Sequence, residues 1–178
     1  MKRIDVKDCF LKLLFFTAIQ LCLISISFAQ PQLPQHTITV QATQPLDFGA
    51  FCLSGGSSGT VTVGYDGSRT STGAIALLPI APYPQPAIFE IKLCQGRNVS
   101  VSFSSAPLLG NNGGSLSLAL GSARVDGNNT PIEDGSSFEV SGDCNFVTIL
   151  RVGGTITVDS SDPPGEYSTE ISITFIQE

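Results

Sequence analysis

The chain contains no tryptophan, one histidine and few basic residues, and each shortage closes off a class of function. His36 is the lone histidine. Ser-His-Asp and Cys-His catalysis both need an imidazole held within hydrogen-bond reach of a nucleophile. His36 follows Pro31 and Pro34 in a stretch that reads as a flexible leader, a poor place to hold one. The same lack of imidazole disfavours a hydrolytic zinc site. Without tryptophan, and with Tyr83 between Pro82 and Pro84 as the single aromatic expected to be exposed in a loop, no stacking platform for a sugar ring is evident. Gly55-Gly56 and Gly153-Gly154 are not followed by lysine or by a helix start, so neither reads as a phosphate cradle. We therefore expect no catalytic residue, no cofactor and no metal.

What is present at the start points to export. Lys2, Arg3, Lys7 and Lys12 precede an apolar run, Leu13–Ile24, which Gln20 interrupts. Ser25-Ile26-Ser27-Phe28-Ala29 follows, with small residues at the two positions a signal peptidase reads. A charged start, a short apolar stretch and a small-x-small site make a secretory signal, with cleavage expected between Ala29 and Gln30. The run is shorter than the ~20 apolar residues of a spanning helix, so no membrane insertion is expected after cleavage. The expected destination is the periplasm, the cell surface or the medium.

Residues 30–178 then form one domain by length. They keep Lys92 and four arginines against thirteen acids, a formal net charge of −8. Such a surface offers no footprint for nucleic acid. Cys52, Cys94 and Cys144 remain, and in an oxidising compartment one pair of three is expected to close. Their spacings of 42 and 50 residues contain no Cys-x-x-Cys element for zinc.

No segment after residue 30 carries a helical apolar stripe. Short runs alternate apolar and polar residues between Gly, Asn, Asp, Ser and Pro clusters, the signature of an all-β sandwich of about nine or ten strands. Ile38, Val40 and Ala42 align on one face of Thr37–Thr43; Phe89, Ile91 and Leu93 align in Ala87–Leu93; Ile171, Ile173 and Phe175 align in Tyr167–Ile176. Phe146–Val152 and Thr155–Val158 are split by Gly153-Gly154, read as a tight turn or a bulge. Ser54–Gly59 and Gly121–Ser137 read as long loops. The organisation expected is a signal at 1–29, a leader and first strand at 30–44, and the sandwich at 45–178. Acids in turn-rich segments, Glu133-Asp134, Asp126 through Asn129, Asp159 and Asp162, are read as solvated turn residues rather than as catalytic pairs or calcium ligands.

Several blocks recur in a fixed order: Pro45-Leu46-Asp47-Phe48-Gly49, Gly59–Val63, Asp66–Gly73, Val152–Val158 and Pro164-Gly165-Glu166-Tyr167-Ser168. Together they resemble a family of uncharacterised exported bacterial β-sandwich proteins with a Leu-x-Phe-Gly start and a Pro-Gly-x-Tyr-Ser end, a domain of unknown function. That family is similar in outline to fimbrial major subunits and spore-coat-type pilin-like domains. The resemblance implies an Ig-like, Greek-key, two-layer antiparallel sandwich at the cell surface, with no known catalytic residues. The sequence departs from it after Ser168, where Thr169-Glu170 replaces a glycine.

A fimbrial-subunit-like role implies association by strand addition, with copies of itself or with other surface proteins. The candidate donor strand is Thr37–Thr43 with Ile38, Val40 and Ala42, but the preferred reading is that these residues complete the chain's own sandwich, because the final strand looks complete and no strand is evidently missing. The alternative function is a secreted module that binds a glycan or small ligand. In an Ig-like order, the end of the Ala87–Leu93 strand lies next to the start of the strand after Cys144, so Cys94–Cys144 is the expected disulfide and Cys52–Cys94 the runner-up.

Overall fold

The computed structural model describes residues 38–95, 98–104 and 106–178. The expected signal, its cleavage point at Ala29 and Gln30, and leader residues 30–37 lie outside the described residues. The described residues hold no helix. They form β1 (Ile38–Gln44), β2 (Phe51–Leu53), β3 (Ser58–Val63), β4 (Arg69–Gly73), β5 (Ile75–Leu77), β6 (Ala87–Leu93) and β7 (Asn98–Ser104). These are followed by β8 (Leu108–Gly110), β9 (Ser115–Val125), β10 (Ser137–Glu139), β11 (Thr148–Asp159), β12 (Tyr167–Ser168) and β13 (Ser172–Gln177). All pairings are antiparallel.

The long strand β11 organises the larger sheet. Leu150, Val152, Ile156 and Val158 point inward at alternate positions and are buried. Along one side β11 pairs with β9. Along the other it pairs first with β6, from Thr148 to Val152, and then with β3, from Gly154 to Asp159. The neighbour changes at Gly153, where a Cβ would collide with the Val63 carbonyl oxygen. The register against β9 also shifts there, between Arg151 and Gly153. Gly153-Gly154 thus lies inside one continuous strand and is neither a turn nor a bulge of β11; the extra residue falls on β9, between Gly121 and Arg124.

The full sheet runs β1-β6-β11-β9-β8-β12, with β3 and β4 attached to β11. A second layer, β10-β7-β13, covers the half built on β6. Two cores result. One packs Ile91, Leu93, Val99, Val101, Leu150 and Val152 between the sheets. The other packs Val61, Val63, Leu116, Leu118, Ile156 and Val158 beneath the shorter strands β2 and β5. Leu46 packs against both.

The order β1-β6-β11-β9 is that of the A, B, E and D strands of an Ig sandwich, and β7-β13 is its C-F pair. The fold is an all-β antiparallel sandwich. Two differences from the expected strands have local causes. The run Tyr167–Ile176 divides because β12 pairs with β8 while β13 pairs with β7. The supposed loop Gly121–Ser137 is shorter than expected, because β9 continues to Val125 and Ile132 bridges back to Ala123.

Cys94 follows β6 and Cys144 precedes β11, and the two strands pair from Ile91 opposite Thr148. The two cysteines form a disulfide across a Cα–Cα distance of 4.6 Å. Cys52 is exposed and free. The disulfide closes a loop with a sequence separation of 50 residues. On the chain-entropy account such closure stabilises a domain by about 4 kcal/mol. Thermal unfolding with and without reductant should show a loss of that order, reproduced by Cys94→Ser and Cys144→Ser and absent for Cys52→Ser.

Candidate functional site

The Leu-x-Phe-Gly block builds one wall of a groove. Asp47 and Gln85 exchange backbone hydrogen bonds of 2.9 Å, which stops the chain after β1. The Asp47 carboxylate then accepts a 2.7 Å bond from the Gly49 N–H. Gly49 has φ +68°, the left-handed region, and its missing Cβ leaves room for the Arg69 guanidinium. Arg69 donates to the carbonyls of Phe48 and Ala50 at 3.1 Å each and of Leu78 at 2.9 Å. One planar fork therefore holds the segment entering β2 against the segment leaving β5. The strand β2 pairs with β5 on the side away from the groove.

The Pro-Gly-x-Tyr-Ser block builds the opposite wall. Asp162 accepts a 2.7 Å bond from the Asp159 N–H, closing the turn that ends β11. The Asn112 amide donates to the carbonyls of Pro163 and Pro164, and the Tyr167 hydroxyl donates to Pro163. The strand β12 pairs only with β8 among the described residues.

Between these walls lies a cavity of about 970 Å³, open on one side. Its floor is Leu108, Leu116, Leu118, Ile156 and Val158, all buried. The half-buried walls are Phe51 and Leu53 on one side and Tyr167 and Ile171 on the other. No backbone hydrogen bond joins the walls among the described residues. Two strands, each paired on one side among the described residues, thus flank an apolar floor. Beyond β12 the outer edge of β13 is likewise unpaired among the described residues. Behind that edge, Ile173 and Phe175 are half-buried, and the Phe175 ring meets Phe89 at 5.9 Å. In Ig order this is the position of the seventh strand, G, beside F.

Of the residues singled out by sequence, Cys52, Asp162 and the two motif blocks line the groove, while the candidate donor strand and the disulfide fall elsewhere. Ile38 and Val40 pack half-buried on the first core from β1, which pairs with β6 of its own chain. Ala42 is exposed, next to the bulge at which the register shifts between Ala42 and Gln44. Cys94 and Cys144 are not part of the groove lining. The turn acids hold backbone: Asp134 accepts from the Phe103 N–H at 2.7 Å and from the Ser102 hydroxyl. Asp126 pairs bidentately with Arg151 at 2.7 and 3.1 Å. The bond to Asp126 raises the Arg151 pKa, but both side chains are exposed enough for solvent to screen the pair. Among the described residues no three His, Cys, Asp or Glu side chains are grouped to hold a metal. Arg124 lies over the Tyr65 ring at 4.1 Å with its Nε buried and unpartnered.

The outer face of the sheet carries a second pattern. Thr72, Thr60, Thr157 and Ser117 form one row across β4, β3, β11 and β9; Thr70, Thr62, Thr155 and Ala119 form the next. Hydroxyls pair across strands at 2.7 Å (Thr60 with Thr72) and 2.8 Å (Thr62 with Thr155). These rows are the solvated side of strands whose other faces are core, where threonine suits the pleat. Sequence reading missed the groove, because its lining comes from five separated segments. Its one sequence signal was that both walls coincide with the recurring glycine blocks.

Loss of the Arg69 fork leaves carbonyls of Phe48, Ala50 and Leu78 without their donor. Arg69→Met should lower stability by about 2–3 kcal/mol in denaturant unfolding, and Arg69→Lys should recover little of it. The Asp66 pKa is lowered by hydrogen bonds from the Ser68 hydroxyl and N–H in the β3–β4 turn. A carboxyl with a depressed folded pKa contributes stability above its unfolded value, about 3.9, that is lost as pH falls through the folded value. The stability gap between wild type and Asp66→Ala should therefore be full at pH 6 and narrow steadily below pH ~4 in parallel melts.

The family model described as a domain of unknown function, DUF4402, matches residues 38–176. No curated protein and no solved structure matches the chain. The matched span opens at the first residue of β1, includes both walls of the groove and runs nearly to the end of β13. On that match, the chain belongs to the DUF4402 family.

Proposed function

We propose that this is an exported structural protein of the bacterial surface, fimbrial-subunit-like in outline, that associates by accepting an extended strand. The observation that carries the proposal is the groove: about 970 Å³ of space over an apolar floor, between two strands each paired on one side only. An added strand would satisfy backbone groups on β2 and β12 and place alternate side chains on the floor. Three or four buried aliphatic side chains contribute roughly 5–10 kcal/mol before ordering costs are subtracted. The charged, apolar and small-x-small opening of the sequence supports export. No catalytic step belongs to this reading. A glycan-binding role is less well supported, since Tyr83, though 69% exposed, is not among the residues that line the groove.

Strand acceptance has a direct test. To residues 30–178 we would append a glycine-rich linker and a strand of alternating valine and threonine. The appended strand should raise the melting temperature by roughly 5 °C or more. Leu53→Glu and Ile171→Glu, in the half-buried walls, should cancel the gain while leaving the circular dichroism spectrum β-rich. An appended strand that leaves the melt unchanged would sink the reading.

A further inference from the structure

We infer that the segment this groove accepts carries a basic residue at one end, seated against Asp162 and Glu166, and belongs to a partner protein rather than to a second copy of this chain. The inference rests on strand acceptance as proposed above and adds the chemistry and direction of the occupant.

Among the described residues the groove lining contains Asp47, Asp162 and Glu166 and no lysine, arginine or histidine. Asp47 is partly compensated: the Arg69 guanidinium lies behind the same segment, bound to the Phe48 and Ala50 carbonyls. Among the described residues neither Asp162 nor Glu166 has such a cation. Among the described residues the one ion pair is Arg151 with Asp126, outside the lining. Asp162 uses one oxygen on the Asp159 N–H, and Glu166 lies exposed one residue before β12. One mouth of the groove is therefore negative and the floor uncharged. Apolar walls focus that field along the cleft.

An apolar floor between two strand edges binds alternate aliphatic side chains but does not by itself choose which way a segment runs. A charge at one mouth does, because one orientation brings a cation to Asp162 and Glu166 and the other leaves it in water. The same charge disfavours an acidic occupant. The candidate donor region of this chain, residues 30–44, contains no lysine or arginine, so a second copy does not supply the cation from it.

The test uses residues 30–178 and synthetic peptides with one alternating valine–threonine core, followed by fluorescence anisotropy. The neutral peptide ends in glutamine at both termini. Two basic peptides carry arginine at the N-terminal or C-terminal end, and one acidic peptide carries glutamate. One of the two basic peptides should bind about fivefold tighter than the neutral one, and the acidic peptide more weakly. The ratio of basic to neutral affinity should fall toward one at 0.5 M salt and in Glu166→Gln. Equal affinity for neutral and basic peptides would overturn the inference and leave strand acceptance standing. Displacement of bound peptide by unlabelled copies of the chain more readily than by the basic peptide would overturn it in favour of self-association. Binding of none of the peptides would overturn both.

Discussion

The larger sheet of this domain takes its register from β11, which pairs with β6, β3 and β9. Its inward residues, Leu150 and Val152 in one half and Ile156 and Val158 in the other, enter two separate cores. The strand changes partner between them, from β6 to β3. Such an exchange requires two backbones to approach where a side chain would stand, and Gly153 is that place. A central strand that serves two cores couples them: a shift of one residue would turn both sets of apolar side chains to solvent.

On one side of the large sheet β9 passes its pairing to β8, and β8 to β12. Around the groove and beyond it, the outer edges of β2, β12 and β13 have no partner among the described residues. Unpaired edges are an aggregation hazard unless short or obstructed. Here β2 and β12 are only three and two residues long. Proline flanks the walls at Pro45 and at Pro163-Pro164. An edge guarded in this way, yet backed by an apolar floor, suits a specific extended occupant better than indiscriminate pairing.

The recurring glycine blocks acquire a physical meaning in this setting. Gly49 makes room for Arg69, whose three carbonyl bonds fasten one wall. The Pro-Gly-x-Tyr-Ser block sets the other, through bonds from Asn112 and Tyr167 to the proline carbonyls. The replacement of glycine by Thr169-Glu170 falls between β12 and β13, where the strand changes partner and neither residue sits in a paired ladder. What the blocks maintain in common is the separation of two walls over a floor, a property of shape rather than of reactive groups.

Strand alternation was legible in the sequence alone, because it depends only on which residues face one side of a pleat: Ile38 with Val40, Phe89 through Leu93, and Ile171 through Phe175 all read correctly as inward positions. The near approach of Cys94 and Cys144 could also be argued in advance, since the end of one antiparallel strand lies beside the start of its neighbour. The groove could not. Its floor comes from β8, β9 and β11 and its walls from segments more than a hundred residues apart, so only the tertiary pairing brings Leu53 opposite Tyr167. The place of Gly153-Gly154 was equally hidden: glycine pairs mark turns and bulges alike, and here the pair lies inside a continuous strand because β3 arrives beside β11. Alternation is a local property of the chain, whereas an unfilled strand position is a property of how the sheets close, and only the folded molecule decides that.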